Sequence, residues 1–454
     1  MTRSRRYDFM KSVIKYLLLF LGVIALMCIV LIGVATIPCN SIQRKAEESA
    51  EQLIKRDVAY YNLIGGTSGR ALLRPWDCSK IDQTADSYLL SIAYYLDEDH
   101  PLEAVLWARY YDGREDMDAP LKNMNESYYR SVTERVSTNK QYLRYWHGSL
   151  VFVRPLLVFM NLNEMKVFFG VVMVSLLCVL LILLVRKKLK TEAICLIISM
   201  IAVSIWFVSV SLEYVWMFIL MLAISIITVV KVASEKETRI PCILFLTGIL
   251  AAYFDFFTTE TITLLVPLLL AIRILYRKGR SDKEIWKLAI KCVLLWGIGY
   301  IGCWISKWAI AAAVFRINTI PYVQHRVLVH LGAYDEHGVV LGVIGAVLRN
   351  LSQLFPFGYG VIAAPTTFIL IAVFVFLPVY QGKVRLKKNI NWSRIGVYSF
   401  LGMIVFVRLI ILWQHSWRHY FFTYRALAAS VLALCFIVLE LIESTYRKAV
   451  PSDV

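Results

Sequence analysis

The sequence predicts an all-α polytopic membrane protein with about ten transmembrane helices and with both termini in the cytoplasm. Of its 454 residues, 59% are hydrophobic and only 18% are charged. The charges are clustered between apolar runs of about 16 to 22 residues, and a helix of that length crosses roughly 30 Å of hydrocarbon. This composition exceeds what a soluble core needs, so it excludes a soluble protein.

The first apolar run, residues 16–37, is predicted to be a retained span. Five Lys and Arg residues precede it in the basic cytoplasmic segment 1–15, and the run lacks the small-residue cleavage site of a signal peptide. The other predicted spans are residues 167–185, 192–211, 214–230, 241–257, 261–276, 288–308, 361–380, 395–412 and 426–443.

The distribution of charge predicts the topology. Lys and Arg accumulate after spans 2, 4, 6 and 8 and at the C-terminus, as expected of cytoplasmic connections. The net charge of +17 is therefore an orientation signal, and no nucleic-acid partner is predicted. The predicted segments are an extracytoplasmic loop at 38–165, spans 2 to 7 within 166–308, a second extracytoplasmic loop at 309–360, spans 8 to 10 within 361–446, and a cytoplasmic tail at 447–454.

The first extracytoplasmic loop differs in composition from the rest of the chain. It contains 18 Asp and Glu against 15 Lys and Arg, and its apolar spacing predicts short amphipathic and interfacial helices rather than strands. Of nine cysteines only Cys39 and Cys78 lie in this loop, and the other seven lie in predicted spans. A disulfide between the two is one prediction for an oxidising compartment, and two unpaired thiols are the alternative.

Asp82 and Asp86 are the first candidate site residues. Because they are four residues apart, they are predicted to share one face of a helix that continues into an apolar run. Partial desolvation at the lipid boundary would raise the pKa of such a carboxyl and suit it to general-base catalysis. A second carboxylate would add to that shift or help to hold a divalent ion. The alternative is a helix N-cap and a solvated first turn.

His147 and Arg154 belong to a group of aromatic and cationic residues directly before an apolar stretch that is too short to span a membrane. The pattern predicts an interfacial helix whose cations lie at the depth of phosphate groups. The alternative is an aromatic membrane anchor with an Arg side chain that reaches the interface.

Asp255, Glu260 and Arg408 are charges at or within predicted spans. The two acids lie among aromatic residues in the outer turn between spans 5 and 6, and Arg408 lies inside span 9. A charged side chain inside a membrane is energetically costly unless it pairs with an opposite charge or contacts water. We expect Arg408 to pair with an acid such as Asp255 or with an anionic ligand. A simple polar turn is the alternative for the two acids.

His415, Arg418 and Arg425 lie in the outer segment between spans 9 and 10, and they are predicted to face the same compartment as the other candidates. This segment would supply imidazole and guanidinium groups to a ligand. The histidines of the second outer loop, His325, His330 and His337, lack the regular spacing of a zinc cluster. No structural zinc is predicted.

The layout resembles the GT-C type of membrane glycosyltransferase: one N-terminal span, a large first outer loop with an acid on a short helix, interfacial helices, and then many spans. Segments 84–86, 145–148, 253–256 and 415–426 also resemble those of polytopic membrane proteins of Gram-positive bacteria. The resemblance implies a bacterial plasma-membrane enzyme with a polyprenyl-phosphate-linked sugar as donor. It implies a cell-envelope polysaccharide or glycolipid as acceptor.

The resemblance also implies roles for the candidate residues. Asp86 would be the base, and Asp82 would orient the acceptor or help to hold Mg²⁺ or Mn²⁺. The lipid phosphate would be neutralised by Arg154, Arg408, Arg418 and Arg425. GT-C enzymes commonly carry their acid soon after span 1, whereas Asp86 follows Ile37 by 49 residues, which leaves as rivals Glu47, Glu48 and Glu51. The alternative function is a non-enzymatic lipid-linked glycan transporter or an assembly partner of an envelope synthase.

Overall fold

The computed structural model describes residues 3–56, 58–64, 77–116, 120–330, 338–354, 380–382 and 384–444, and the single positions 369 and 373. It is mostly helical, at 76%, and seven of the described helical segments are long and apolar enough to cross a membrane. The predicted all-α polytopic membrane fold is confirmed at this level. The total of ten spans and the orientation of the chain stay predictions.

The described part of the chain consists mainly of α-helices with three short pairs of strands. In chain order, the helices are α1 (Arg3–Ala35), α2 (Cys39–Ile54), α3 (Gln83–Tyr94), α4 (Pro101–Trp107), α5 (Met124–Glu134), α6 (Leu150–Leu156), α7 (Leu162–Arg186), α8 (Lys190–Ala202), α9 (Leu212–Ala233), α10 (Ile240–Phe254), α11 (Ile262–Arg277), α12 (Asp282–Phe315), α13 (Ile320–His330), α14 (Val339–Leu351), α15 (Trp392–Ile411), α16 (Trp413–Arg418), α17 (Tyr420–Thr423) and α18 (Ala428–Leu441). The antiparallel strand pairs are β1 (Tyr60–Asn62) with β2 (Lys80–Asp82), β3 (Arg109–Tyr110) with β4 (Lys140–Gln141), and β5 (Val384–Leu386) with β6 (Ile442–Ser444).

Seven of the predicted spans fall on helical segments that can cross a membrane. These segments are Met10–Ala35, Leu162–Arg186, Leu212–Ala233, Glu237–Phe254, Asp282–Phe315, Trp392–Ile411 and Tyr420–Leu441. Predicted span 261–276 corresponds to the shorter helix α11. Predicted span 361–380 lies outside the described residues except at single positions.

The predicted span 192–211 is not one continuous helix, and that expectation was wrong. Helix α8 ends at Ala202, Ser204 has a left-handed φ of 53°, and a 3₁₀ segment follows at Ile205–Val210. A left-handed residue cannot continue a right-handed helix. This stretch therefore consists of two short helical pieces joined by a bend.

Helices α9, α10 and α11 pack against one another, α12 packs against α10 and α11, and α18 also contacts α11. Every residue of α11 except Arg273 and Arg277 is buried. Helices α10 and α12 approach each other closely at Gly248 and Gly299, where an added Cβ would overlap a backbone carbonyl oxygen of the other helix. These two glycines are therefore required by the close approach of the helix backbones.

The described part of the predicted first outer loop is built mainly of helices, as its apolar spacing predicts. Helices α2, α3 and α5 pack together, and the buried Ser87 hydroxyl donates a hydrogen bond to Asn125 Oδ1 at 2.7 Å. The short strand pairs β1–β2 and β3–β4 also lie in this loop and were not expected. We call residues 38–161 of the described chain the outer unit.

The structure has no disulfide between Cys39 and Cys78, and both residues are free thiols. The Cys39 thiol lies at the start of α2 and donates to the Tyr94 carbonyl over 3.8 Å. Cys78 is buried in a 3₁₀ turn, and its carbonyl accepts a hydrogen bond from Arg425. Burial raises the pKa of both thiols, which disfavours the reactive thiolate. The alternative of two unpaired thiols describes the structure.

An ion network joins helices α8, α11, α15 and α18 at the C-terminal end of α11. Glu192 accepts a hydrogen bond from Arg273 at 3.0 Å and lies 2.8 Å from Arg277. Arg273 also pairs with Glu440, which lies 3.7 Å from Arg394. Both buried acids of the network thus have arginine partners.

Candidate functional site

A cavity of about 230 Å³ lies between the outer unit and residues at or near the ends of α9, α10 and α16. Its wall combines carboxyl, imidazole and guanidinium groups with aromatic rings. The lining residues are Tyr60, Asp82, Thr84, Ala85, Tyr88, Leu89, Tyr142, Arg144, Tyr145, His147, Glu213, Phe256, His415 and His419.

Asp82 is placed at the cavity by the β1–β2 hairpin and by its position as the N-cap of α3. It pairs with Tyr60 in the hairpin, and its Oδ1 accepts a hydrogen bond from the Ala85 N–H at 2.9 Å. Burial raises the pKa of Asp82 to about 7, although the bond from Ala85 opposes the shift. A carboxyl with this pKa is suited to accept a proton near neutral pH.

Asp86 does not line the cavity, and its predicted role as the base is not supported by its position. Its Oδ1 accepts hydrogen bonds from the Ser211 hydroxyl at 3.0 Å and from the Leu212 N–H at 2.9 Å. Its Oδ2 lies 2.7 Å from Lys166 Nζ. A fully buried carboxylate with these partners ties α3 to the N-terminus of α9 and to α7, and so Asp86 has a structural role.

Glu213 is a second carboxyl at the cavity, and it was not among the predicted site residues. It lies in the first turn of α9, next to the Leu212 N–H that Asp86 binds. Its Oε2 is buried, and no described group donates a hydrogen bond to it. A buried carboxyl oxygen without a partner is costly, so a ligand hydroxyl would find an available acceptor at this position.

His147 reaches the cavity through an unusual backbone conformation. Its φ is 54°, a left-handed value that is uncommon for residues other than glycine. At the next residue, Gly148, the N–H donates to the Tyr253 carbonyl at 2.9 Å, and an added Cβ would overlap the Tyr253 ring. This close approach fixes the outer unit against α10.

The imidazole of His147 is neutral at physiological pH. Burial lowers its pKa to about 3, and the nearby Lys307 cation acts in the same direction. Nε2 lies 3.2 Å from the Tyr142 carbonyl, which requires the proton on Nε2, and Nδ1 has no described hydrogen-bond partner. His147 therefore offers an acceptor nitrogen to the cavity.

His415 lies in α16 and His419 directly follows the helix, and their ring centroids are 4.7 Å apart. His415 Nε2 lies 2.9 Å from the Phe257 carbonyl, so the ring is held by backbone. Burial lowers the pKa of His419 to about 4, and the charge of Arg418 adds to the effect. These two imidazoles thus border the cavity, and His419 is a neutral group that was not among the predicted site residues.

Arg144 is the cation of the cavity wall. Its guanidinium carbon lies 4.9 Å from the centroid of the Tyr145 ring and 5.4 Å from that of Tyr142. Nη2 also donates to the Tyr142 hydroxyl at 3.1 Å. Aromatic faces attract a guanidinium group and so help to hold it in place. In the sequence, the feature that points to Arg144 is its position in the aromatic segment that contains His147.

Arg408 pairs with Glu260 and not with Asp255. Its Nε donates to Glu260 Oε1 at 2.9 Å and its Nη1 to the Ser416 hydroxyl at 3.1 Å, while Nη2 donates to the Phe257 carbonyl. Asp255 instead accepts hydrogen bonds from the backbone and side chain of Thr258. None of the three predicted residues lines the cavity, and Arg408 is saturated by protein groups, so a ligand role is not supported.

Arg154, Arg418 and Arg425 also do not line the cavity, contrary to their expected role in phosphate binding. Buried Arg154 donates to the carbonyls of Ala93 and Ile37, near the ends of α3 and α1. Arg425 donates to the Cys78 carbonyl at 2.7 Å. Carbonyl groups at the ends of helices and turns accept hydrogen bonds from these two cations, whereas Arg418 is exposed at the end of α16.

The cavity residues do not fit a divalent metal site. In the described part of the chain, no group of three or more His, Cys, Asp or Glu side chains is arranged to hold a metal ion. Mg²⁺ and Mn²⁺ prefer several oxygen ligands around one point. We therefore assign no step to the divalent cation that the resemblance implies.

No protein-family model, curated protein or solved structure matches the chain. The GT-C resemblance stays a prediction, and the chemistry of the cavity is the basis for assigning a function.

Proposed function

We propose that the protein is a membrane glycosyltransferase that moves a sugar from a polyprenyl-phosphate donor to a cell-envelope acceptor. The reaction would take place on the extracytoplasmic face of a bacterial plasma membrane. Asp82 replaces Asp86 as the proposed base.

One observation carries this proposal: two carboxyl groups, the buried Asp82 and the half-buried Glu213, share a cavity with a guanidinium group and several aromatic rings. Carboxyl oxygens and neutral imidazoles accept hydrogen bonds from sugar hydroxyls, and aromatic rings pack against the apolar faces of a sugar ring. The cavity, at about 230 Å³, is smaller than the pockets that take drug-sized ligands. It is suited to a single sugar unit.

The chemistry follows from the roles of three residues. Asp82 accepts the proton of an acceptor hydroxyl while that oxygen forms a bond to the anomeric carbon of the donor sugar. The bond between the anomeric carbon and the phosphate oxygen breaks, and the bonding electron pair leaves with polyprenyl phosphate. Arg144 stabilises the negative charge of the leaving phosphate. Glu213 positions the sugar by accepting a hydrogen bond from one of its hydroxyls.

The experiment is a turnover assay of the full-length protein in nanodiscs. The protein is given a panel of polyprenyl-phosphate and polyprenyl-pyrophosphate sugars with a mixture of envelope acceptors. Release of the free lipid phosphate is measured by mass spectrometry. We expect release by the wild type and its loss in Asp82→Asn, because asparagine still caps α3 but cannot take a proton.

The matched control is Asp112→Asn. Asp112 is also a buried aspartate of the outer unit, and its Oδ1 accepts a hydrogen bond from the Arg114 N–H at 3.1 Å, outside the cavity. This variant should turn over donor like the wild type. Full turnover by Asp82→Asn would contradict the assignment of the base. Donor binding without turnover by the wild type would instead favour a lipid-linked glycan transporter or an assembly partner.

A further inference from the structure

A second and larger cavity lies on the lipid-facing side of the bundle, between α1 and α12. Its volume is about 1130 Å³, and it shares no lining residue with the candidate site. Most of its wall is apolar, with lysines among the lining residues. Its lining residues are Ser12, Val13, Lys15, Tyr16, Leu17, Phe20, Thr238, Phe245, Lys287, Ile290, Lys291, Leu294, Leu295, Ile298 and Gly302. We call it the lateral groove.

The charged part of the lateral groove contains three lysines from two helices. Lys15 lies on α1, and Lys287 and Lys291 lie four residues apart on α12, where they share one helix face. All three are exposed, and no described acid forms a salt bridge with any of them. No acid is present among the described lining residues. The groove therefore concentrates positive charge beside an apolar surface.

The apolar part of the groove begins directly after the lysines. Leu17, Leu294 and Ile298 are 54%, 60% and 61% exposed, and these values place large side chains in contact with lipid. The Phe20 ring lies close to Gly302, where an added Cβ would be 3.1 Å from it. Helices α1 and α12 thus meet at this end of the groove.

The length of the groove matches one leaflet of a bilayer. Ser12 to Phe20 covers roughly 12 Å along α1, and Lys287 to Gly302 covers roughly 22 Å along α12, at the helical rise per residue. Half of a typical hydrocarbon core is roughly 15 Å. Along the helix axes, Lys15 lies roughly 8 Å before Phe20, and Lys291 and Lys287 lie roughly 16 Å and 22 Å before Gly302. Lysine side chains are long and flexible, so they can converge on one headgroup from these different depths. An acyl chain anchored there would run along the apolar wall to the contact between Phe20 and Gly302.

We propose that the lateral groove binds an anionic phospholipid, with the phosphate at Lys15, Lys287 and Lys291 and an acyl chain along the apolar wall. Clustered lysines at the ends of membrane helices attract anionic headgroups. The charge distribution predicts that this end of α1 and α12 is cytoplasmic, where such lipids would meet it. A zwitterionic lipid has no net charge to match three cations. The proposal does not depend on the proposed glycosyltransferase activity.

The test is native mass spectrometry of the full-length protein in detergent, titrated with phosphatidylglycerol or with phosphatidylcholine. We expect bound phosphatidylglycerol to be favoured at equal lipid concentration. The triple variant Lys15→Gln/Lys287→Gln/Lys291→Gln should lower the affinity for phosphatidylglycerol by about tenfold or more. The control Lys187→Gln/Lys190→Gln/Lys236→Gln removes three exposed lysines outside the groove and should bind like the wild type.

A second variant tests the groove without changing its charge. Leu294→Trp places an indole in the acyl-chain path and keeps all three lysines, so it should also weaken phosphatidylglycerol binding. Thermal unfolding of each variant checks that the fold is retained. Equal binding of the two lipids by the wild type would overturn the proposal. Wild-type affinity in the triple variant or in Leu294→Trp would overturn it as well.

Discussion

The two ends of α11 carry buried charge in different ways. Near its C-terminal end, Glu192 and Glu440 are each within salt-bridge distance of arginine side chains, with Glu192 at 3.0 Å from Arg273. Beyond its N-terminal end, Asp82 and Glu213 lie in the cavity wall without a described salt bridge. Helix α11 therefore separates carboxyl groups that have arginine partners from carboxyl groups that have no described salt bridge.

This difference helps to distinguish structural from functional charge. Burying an ion is costly, and a partner with good geometry offsets much of that cost. The network near Arg273 is therefore explained by the folded chain alone. Carboxyl groups in a cavity that have no described salt bridge are not explained in this way, and perturbed groups of that kind concentrate at functional sites.

The strongest test of the comparison is the activity of Asp82→Asn. We expect kcat to fall by about 10²- to 10⁴-fold, the typical contribution of a general base, with no loss of thermal stability. The assay is the nanodisc turnover measurement, combined with thermal unfolding followed by tryptophan fluorescence. A large loss of stability would instead place Asp82 with the structural charges.

For the ion network around Arg273 we expect the opposite outcome, a loss of stability without a loss of activity. Arg273→Met leaves Glu192 and Glu440 with weaker compensation, so it should lower the free energy of unfolding by about 3 kcal/mol. Turnover by the protein that remains folded should be unchanged, because Arg273 does not line the cavity. A fall in turnover per folded molecule would show that the two ends of α11 are coupled.

Asp86 permits a finer comparison, since it lies one helical turn from Asp82. Asp86→Asn weakens the contact with Lys166 and the bonds to Ser211 and the Leu212 N–H. We expect a loss of about 2 kcal/mol of unfolding free energy, and turnover at the wild-type rate when measured below the unfolding temperature. Abolished turnover in a variant of normal stability would restore Asp86 as the base.

The smallest expected effect is on pH dependence. The pKa of Asp82 is raised to about 7 in the folded protein from an ordinary value of 3.8. The folded state therefore holds a proton that unfolding releases, and this contribution to stability is lost as the pH rises from about 4 to about 7. Asp82→Asn should show a smaller decline in melting temperature over this range. Turnover by the wild type should rise with pH through about 7, because the base must be ionised.

The sequence predicted the parts of the fold that depend on local composition. Apolar runs located the seven helical segments that can cross a membrane, because hydropathy acts over a whole span. The bend after Ala202 was missed because it depends on one residue, Ser204, in a left-handed conformation. Local sequence carries little signal for such a single position.

The candidate site was predicted only in part, because tertiary contacts decide which polar groups are satisfied. The spacing of Asp82 and Asp86 predicted a shared helix face, but Asp82 precedes α3 as its cap, and only Asp86 is within the helix. Arg425 finds its acceptor at Cys78, 347 residues away in the chain. Glu213 was missed because an acid in the first turn of a span is ordinarily read as part of a helix cap.

Helix α11 has 16 residues, so it is roughly 24 Å long and shorter than the hydrocarbon core of a bilayer. Its neighbours enclose it instead of lipid, and two of them, α12 and α18, follow it in the chain. We therefore expect α11 to enter the membrane during biosynthesis only when later helices are made. Truncation of the nascent chain after Arg277 should leave α11 outside the bilayer in an insertion assay, whereas the full-length chain inserts it.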